Sequence, residues 1–375
     1  MGNNFGFFSS LGGGDPTYVF TVVTAGADTF QLPLEITGTY DFHVDWGDSS
    51  SSDITVYNHA DTNHSYAGAG TYEVRITGTI TGWTFNNGGD CALYYETKSW
   101  GPLRLGNSGN YFYGCVNHTC TATDVLDLAG TTVLSSTFRN NTSLTEIPSI
   151  NSWATGSVTT FNKFVLNGTA FDQDLSGLDI TSSVNFGEAF VGVTLSVANY
   201  DALILSWSAQ AATGAYAFHG GNSKYTTGGA VMTARAAWVT KGWTITDGGE
   251  NLSAEKITVA ADRDFSGGQG NWTIEEGNDI TFDNIDCDWD CDEANTLQLA
   301  VTLTEGVLYK MQFDISAYTS GNLTPYLGNT PSSVSESTTT FNLYIIAGAL
   351  NFIKFKSVDF IGSIDNVSIK ECIGS

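Results

Sequence analysis

Three clusters in this chain bring together residue types that could do chemistry. In Cys115-Val-Asn-His118-Thr-Cys120, two thiols and an imidazole offer three zinc ligands. A structural zinc takes four, and such knuckles usually come in pairs, so thiols packed in a core are the expected reading. Asp45 and Asp48 flank Gly47 and have the makings of an acid/base pair. A carboxylate beside glycine more often binds the N–H groups of a turn, and that is the role expected here. The stretch Asp286-Cys287-Asp288-Trp289-Asp290-Cys291-Asp292 alternates strictly, so a strand would turn Cys287, Trp289 and Cys291 inward and the four aspartates outward. Cys287 and Cys291 would then sit about 13 Å apart at roughly 3.3 Å per residue, too far for a disulfide. An oxidised partner would be Cys372 or a thiol on another strand.

Signatures of common catalysis are missing: there is no Gly-x-Ser-x-Gly elbow, no Gly-x-x-x-x-Gly-Lys loop and no His-Glu-x-x-His helix. The five histidines are scattered and form no triad with a nucleophile. The chain is therefore not expected to be an enzyme. Polysaccharide degradation stands third among the readings, because 39 acids offer many carboxylate pairs.

Those 39 acids face 14 bases, giving a formal charge of −25. So acidic a chain lacks the basic footprint that neutralises phosphate or anionic lipid, which excludes nucleic acid and membrane as primary partners. No apolar run reaches the roughly 18 residues of a membrane helix. Ahead of Arg75 there is no basic residue, and Gly and Ser interrupt Phe5, Phe7 and Phe8, so the N-terminus does not read as a secretory signal. Synthesis in a host cytoplasm is expected, with residues 1–14 as an arm whose Phe5, Phe7 and Phe8 anchor the chain on a partner protein.

These residues must be positioned by elements suited to the composition. With 41% hydrophobic residues and nine Trp the chain can bury real cores. Only 14% is charged, so Ser, Thr, Asn and Gly build the surface, which favours strands and turns. The first block, 15–87, has short β-branched and aromatic runs such as Tyr18-Val-Phe-Thr-Val-Val and Tyr72-Glu-Val-Arg-Ile76, parted by Gly, Asp and Ser, as in a small antiparallel sandwich. Its Phe42-His-Val-Asp-Trp46-Gly47-Asp48, His64-Ser-Tyr66 and Gly70-Thr-Tyr72 resemble the PKD-like immunoglobulin-type module.

The second block, 88–249, repeats. Phe112, Phe138, Phe164 and Phe190 are each 26 residues apart; Thr132, Val158 and Val184 keep the step, as do Leu126, Ser152 and Leu178. A fixed period of this size marks a solenoid whose coils are stable only when stacked, and the four Phe would form a ladder inside it. The segments Leu134-Ser-Ser-Thr-Phe138 and Asn199-Tyr-Asp-Ala-Leu-Ile-Leu-Ser-Trp207, with Phe218-His-Gly-Gly and Gly242-Trp-Thr-Ile-Thr-Asp, resemble BspA-like leucine-rich repeats of bacterial and phage surface proteins. Short helices around Leu203 to Trp207 and Ala230 to Lys241 are expected to cap the open end.

The third block, 250–375, returns to a period of two in Leu308-Tyr-Lys-Met-Gln-Phe-Asp-Ile315 and Phe352-Ile-Lys-Phe-Lys356, which predicts a two-sheet jelly roll. Asp264-Phe265, Trp272 and Phe360-Ile-Gly-Ser-Ile-Asp365-Asn-Val-Ser-Ile369 resemble the jelly rolls of carbohydrate-binding modules. That resemblance implies a structural calcium shared by Asp264 and Asp365, completed by backbone carbonyls or water. Glycan contact would use exposed aromatics, since sugar C–H faces stack on rings; the candidates are Trp272, Trp289, Tyr318 and Tyr326.

The expectation is thus a mainly β protein: an immunoglobulin-like sandwich, a leucine-rich-repeat solenoid with short capping helices, and a C-terminal jelly-roll sandwich. Its expected role is that of a bacteriophage virion structural protein, a capsid decoration, head fibre or tail-associated adhesion protein that binds host glycans. Other virion proteins and further copies of the chain are the expected partners. The alternative is a bacterial cell-surface adhesin exported by a non-classical route.

Overall fold

The computed structural model describes residues 16–276, 280–283, 287–290, 294–334 and 337–374. Phe5, Phe7, Phe8, Asp286, Cys291 and Asp292 lie outside the described residues. The chain forms two compact units: one runs to Tyr225 and takes up Ala230–Gly249 again, and the other holds Thr226–Gly229 and the residues from Glu250 onward.

The first unit opens with β1 (Thr17–Thr24), β2 (Asp28–Gln31), β3 (Leu34–Asp45), β4 (Ser51–Ile54), β5 (Asn63–Tyr66) and β6 (Gly70–Trp83). It continues with β7 (Tyr94–Ser99), β8 (Leu103–Arg104) and β9 (Thr119–Cys120). One sheet runs β4-β3-β6-β1-β7-β9, with β8 beside β6, while β2 pairs β5. β1 is antiparallel to both β6 and β7, and its run from Tyr18 to Val22 is buried on both faces. No break therefore falls at 87/88: the sandwich and the coil share a sheet and one core that includes Trp46, Trp83, Trp100 and Phe112.

Beyond β9 the backbone advances by parallel coils. Phe112 N–H donates to Thr137 O at 2.9 Å, Phe138 N–H to Phe164 O at 2.8 Å, and Phe161 N–H to Asn185 O at 2.8 Å. Parallel bridges join Val133 to Thr160 and Thr160 to Asn185. All four spaced Phe are buried. Phe112 and Phe138 stack at 5.6 Å, and Phe138 meets Phe164 edge-on at 5.6 Å. A second column then takes over, with Phe161 stacked on Phe186 at 5.3 Å and Phe186 against Phe218 at 6.3 Å. The end is closed by α1 (Val197–Gln210), β10 (Ala217–His219), α2 (Gly229–Thr240) and β11 (Thr244–Thr246). Trp207 of α1 is buried and donates Nε1–H to Leu175 O at 3.1 Å. Lys241 satisfies the last carbonyls of α1 through Ser208 O at 2.7 Å and Ala211 O at 3.0 Å.

The second unit is a two-sheet sandwich of the jelly-roll kind. Its strands are β12 (Leu252–Glu255), β13 (Thr273–Glu276), β14 (Ile280–Phe282), β15 (Cys287–Asp290), β16 (Thr296–Ala300), β17 (Leu308–Leu327), β18 (Thr330–Pro331), β19 (Thr339–Ile346) and β20 (Phe352–Cys372). The long strands β17 and β20 pair antiparallel almost throughout, with irregularities between Ser316 and Asn322. There both strands turn a corner: Gly321 has φ +82°, a Cβ on it would collide with the Asp359 carbonyl, and Asp359 itself lies at φ +52°. Before the corner β17 pairs β19 and the C-terminal half of β20; after it, β17 pairs the N-terminal half of β20, which β16 and β13 extend. Phe313, Phe341, Phe355 and Trp272 fill the space between. No helix among the described residues is long and apolar enough to cross a membrane.

Candidate functional site

Two of the four aromatic glycan candidates are core residues. Trp272 is 2% exposed, packs 5.6 Å from Phe265 and donates Nε1–H to Asp262 O at 2.7 Å. Trp289 is also 2% exposed and meets Phe360 edge-on at 6.0 Å. The alternation that turns Cys287 and Trp289 inward is observed, and it removes Trp289 from any ligand. Neither indole offers a face to a sugar. Tyr318 is half-buried near the corner, with its hydroxyl on Gly321 O at 3.1 Å. The remaining candidate, Tyr326, lies on an open sheet face.

That face belongs to β13, β16, β20 and the end of β17. Its cross-strand row runs Thr273, Gln298, Lys354, Tyr326 and Pro331. In β20 the core takes Ile353 and Phe355, so strand alternation sends Phe352, Lys354 and Lys356 to the opposite side. Lys354 Nζ lies 5.0 Å from the ring centroids of both Tyr326 and Phe352. Thr324, opposite Lys356, adds a hydroxyl beside Tyr326. Phe352 was not among the expected site residues, although the alternation of Phe352-Ile-Lys-Phe-Lys356 carries the signal.

The outward side of the other sheet is occupied by the protein itself. Glu250 Oε1 accepts from Lys310 Nζ at 2.9 Å and from Tyr344 Oη at 2.9 Å. Glu255 Oε1 accepts from Ile369 N–H at 2.7 Å, and its Oε2 takes the Ser368 hydroxyl. Lys310, Tyr344 and Ser368 are engaged by these carboxylates, whereas Lys354 and Lys356, like Lys370, have no ion pair among the described residues.

Acids gather on the β17–β20 pairing shortly before the corner. Asp314 and Asp365 are register partners, and Asn366 Nδ2 donates to Asp314 Oδ2 at 2.8 Å. Asp314 Oδ1 is buried with no hydrogen-bond partner. Burial raises the Asp365 pKa, and the nearby charges of Asp314 and Asp264 raise it further. Asp264 is fully exposed and held below its usual range by Ser266. The orphan oxygen and the mutual repulsion suit a hard cation in donor chemistry. No group of three acids among the described residues converges on one point, so a calcium here would need carbonyls or water besides Asp365 and its neighbours. Because the Asp365 pKa is raised, its ionisation carries a stability penalty that is absent below the ordinary Asp range and is complete once pH has risen through the folded pKa. Asp365→Asn should therefore raise Tm at neutral pH by about 1 °C after solvent screening, with no gain near pH ~3. Added calcium should raise Tm of the parent but not of this variant; equal responses would remove Asp365 from any calcium site.

In the first unit the expected chemistry resolves into structure. Asp45 Oδ1 accepts from Gly47 N–H at 2.9 Å and Asp48 Oδ1 from Ser50 N–H at 3.0 Å, both as turn formers. His64 Nε2 meets Asp48 Oδ2 at 2.8 Å and stacks on Trp46 at 4.5 Å. Both nitrogens of buried His118 are engaged, Nδ1 with Asn141 Oδ1 at 2.8 Å and Nε2 with Thr97 Oγ1 at 3.0 Å, which leaves none for zinc. Asn141 Nδ2 donates to Phe112 O at 2.7 Å, so Nδ1 carries the proton and Nε2 accepts from Thr97. Thr97 in turn accepts from the Tyr94 hydroxyl, which accepts from Tyr18 at 2.9 Å. A directional chain thus links β1 and β7 to the coil. Burial pushes the thiols of Cys115 and Cys120 up, the latter to about 12.

Fold and site together define a mainly β protein with a coil-bearing unit and a jelly-roll unit that presents an aromatic and basic sheet face. The family described as "Mycoplasma protein of unknown function, DUF285" matches residues 107–226, within the coil. No curated protein matches the chain. Among solved structures it is similar to TmCBM61 in complex with beta-1,4-galactotriose, at 18% identity over 31% of this chain and 98% of that one, TM-score 0.23. It is similar to CBM29_1, a family 29 carbohydrate-binding module from Piromyces equi, at 10% identity over 33% and 88%, TM-score 0.21. The enzymatically active domain of bacteriophage CBA120 tailspike protein 4 matches at 12% identity over 68% of this chain and 38% of that one, TM-score 0.27.

Proposed function

We propose that the C-terminal unit is a glycan-binding module carried on the surface of a bacteriophage particle, by a chain serving as capsid decoration, head fibre or tail-associated adhesion protein. The observation that supports glycan binding is the open row of β16, β20 and β17, where Tyr326 and Phe352 offer ring faces beside Gln298, Thr324 and Lys356. Sugars present C–H faces to such rings and hydroxyls to such polar groups. The row Thr273, Gln298, Lys354, Tyr326 and Pro331 is built of hydroxyl, amide, ammonium and ring groups, which suit binding. Thiols held protonated by burial suit assembly in a reducing host cytoplasm.

Tyr326→Ala and Phe352→Ala should each weaken capture on host polysaccharide by about tenfold while the variants melt as folded proteins. Unchanged capture by both would overturn the module. Purified virions should contain the chain, at lattice copy number for a decoration and at low copy number for a tail protein. Its absence from virions together with its presence on bacterial cells would establish the adhesin instead.

A further inference from the structure

We infer that this face takes an anionic polysaccharide whose charge is carried by uronate carboxylates, an assignment that rests on the glycan-binding reading above. In a chain of formal charge −25, two lysines stand two residues apart on one strand and on one side of the sheet. Lys98, Lys163, Lys256 and Lys310 each meet a carboxylate of the protein; Lys354 and Lys356, like Lys224, Lys241 and Lys370, have no ion pair among the described residues, but they alone stand together beside partly exposed ring faces. An acidic chain that leaves paired cations uncompensated on an aromatic row presents a local charge opposite to its own.

The geometry places that charge where a stacked sugar needs it. Lys354 Nζ lies over the faces of Tyr326 and Phe352, 5.0 Å from each centroid, so a sugar that takes its place on either ring displaces the ammonium to the rim of that sugar. An equatorial carboxylate leaves the stack at that rim. Lys356 follows about 6.6 Å further along the strand and meets a charge on the next sugar unit. At about 0.15 M salt the Debye length is roughly 8 Å, so charges near the face weigh more in this attraction than the net charge of the chain.

The test uses the full chain in affinity electrophoresis with polygalacturonate, a neutral β-1,4-galactan and a sulfated galactan. Polygalacturonate should retard it most, and raising NaCl from about 0.15 M to about 1 M should weaken retardation severalfold. Lys354→Gln and Lys356→Gln should each weaken uronate binding about fivefold, a larger loss than for any galactan binding, while Lys354→Arg and Lys356→Arg, which keep the charge, should retain uronate binding. Equal retardation by galactan with no salt dependence would overturn the inference and keep the glycan-binding module. Preference for the sulfated polymer would overturn the carboxylate assignment. No retardation by any polymer would overturn both, as would sedimentation showing that the lysine face instead joins two copies of the chain.

Discussion

Phe138→Ala should cost the first unit about 4 kcal/mol, the range found when a fully buried phenylalanine is truncated and its cavity stays open. Phe138 is fully buried. It stacks on Phe112 at 5.6 Å, meets Phe164 at 5.6 Å and lies 6.3 Å from Trp153. Its backbone N–H is tied to Phe164 O at 2.8 Å, so the coil cannot easily collapse into the void. Each coil is stabilised by its neighbours, and the loss should spread to the coils above and below. Denaturant unfolding followed by near-ultraviolet signals should show a lowered first-unit midpoint, with the second unit unmoved. A loss below about 1 kcal/mol would mean that Phe138 is not a central rung.

Acidification should destabilise the same unit through His118. Burial pushes its pKa down to about 4 against an ordinary 6.5, a shift that the Asn141 hydrogen bond only partly offsets. The neutral ring is therefore native, and the unfolded chain binds the extra proton. Stability from this source is complete above pH ~6.5 and is lost as pH falls toward ~4, by about 3 kcal/mol in all. The structural reason is directional: Nε2 accepts from Thr97, and protonation there turns an acceptor into a donor facing a donor. The Tyr18, Tyr94 and Thr97 hydroxyls must then reverse or break. His118→Gln should flatten the slope of stability between pH ~6.5 and ~4 by up to one proton. The same slope in both proteins, or His118 ring signals titrating at an ordinary pH, would refute this.

Much of this architecture is legible in the sequence because stacking imposes a period on it. The step of 26 between Phe112, Phe138 and Phe164 becomes a buried column, since equivalent positions of successive coils meet. The same step at Val184 does not: that side chain is 41% exposed, because spacing reports position along the coil and not which way the coil turns. The continuity across 87/88 is hidden for another reason. Tyr18-Val-Phe-Thr-Val-Val is apolar on both faces, a mark of a strand covered on both sides, but the partner β7 lies across a turn-rich stretch. At the candidate site, Trp272 and Trp289 drew attention by type, yet a large indole is as useful to a core as to a ligand. Alternation is the better guide: it separates Phe352, Lys354 and Lys356 from Ile353 and Phe355 without any reference to residue class.

The long pairing of β17 with β20 also has a mechanical consequence. The chain enters the second unit for the last time at Glu250 and passes into β12, which lies antiparallel against the last residues of β20. The sheet face with Phe352 and Lys354 lies at the other end of that same strand. Tension between the point of entry and a tethered ligand would therefore run along the strands, loading the β12–β20 and β17–β20 hydrogen bonds in shear rather than opening them one at a time. A joint of that kind holds against flow because its bonds must fail together.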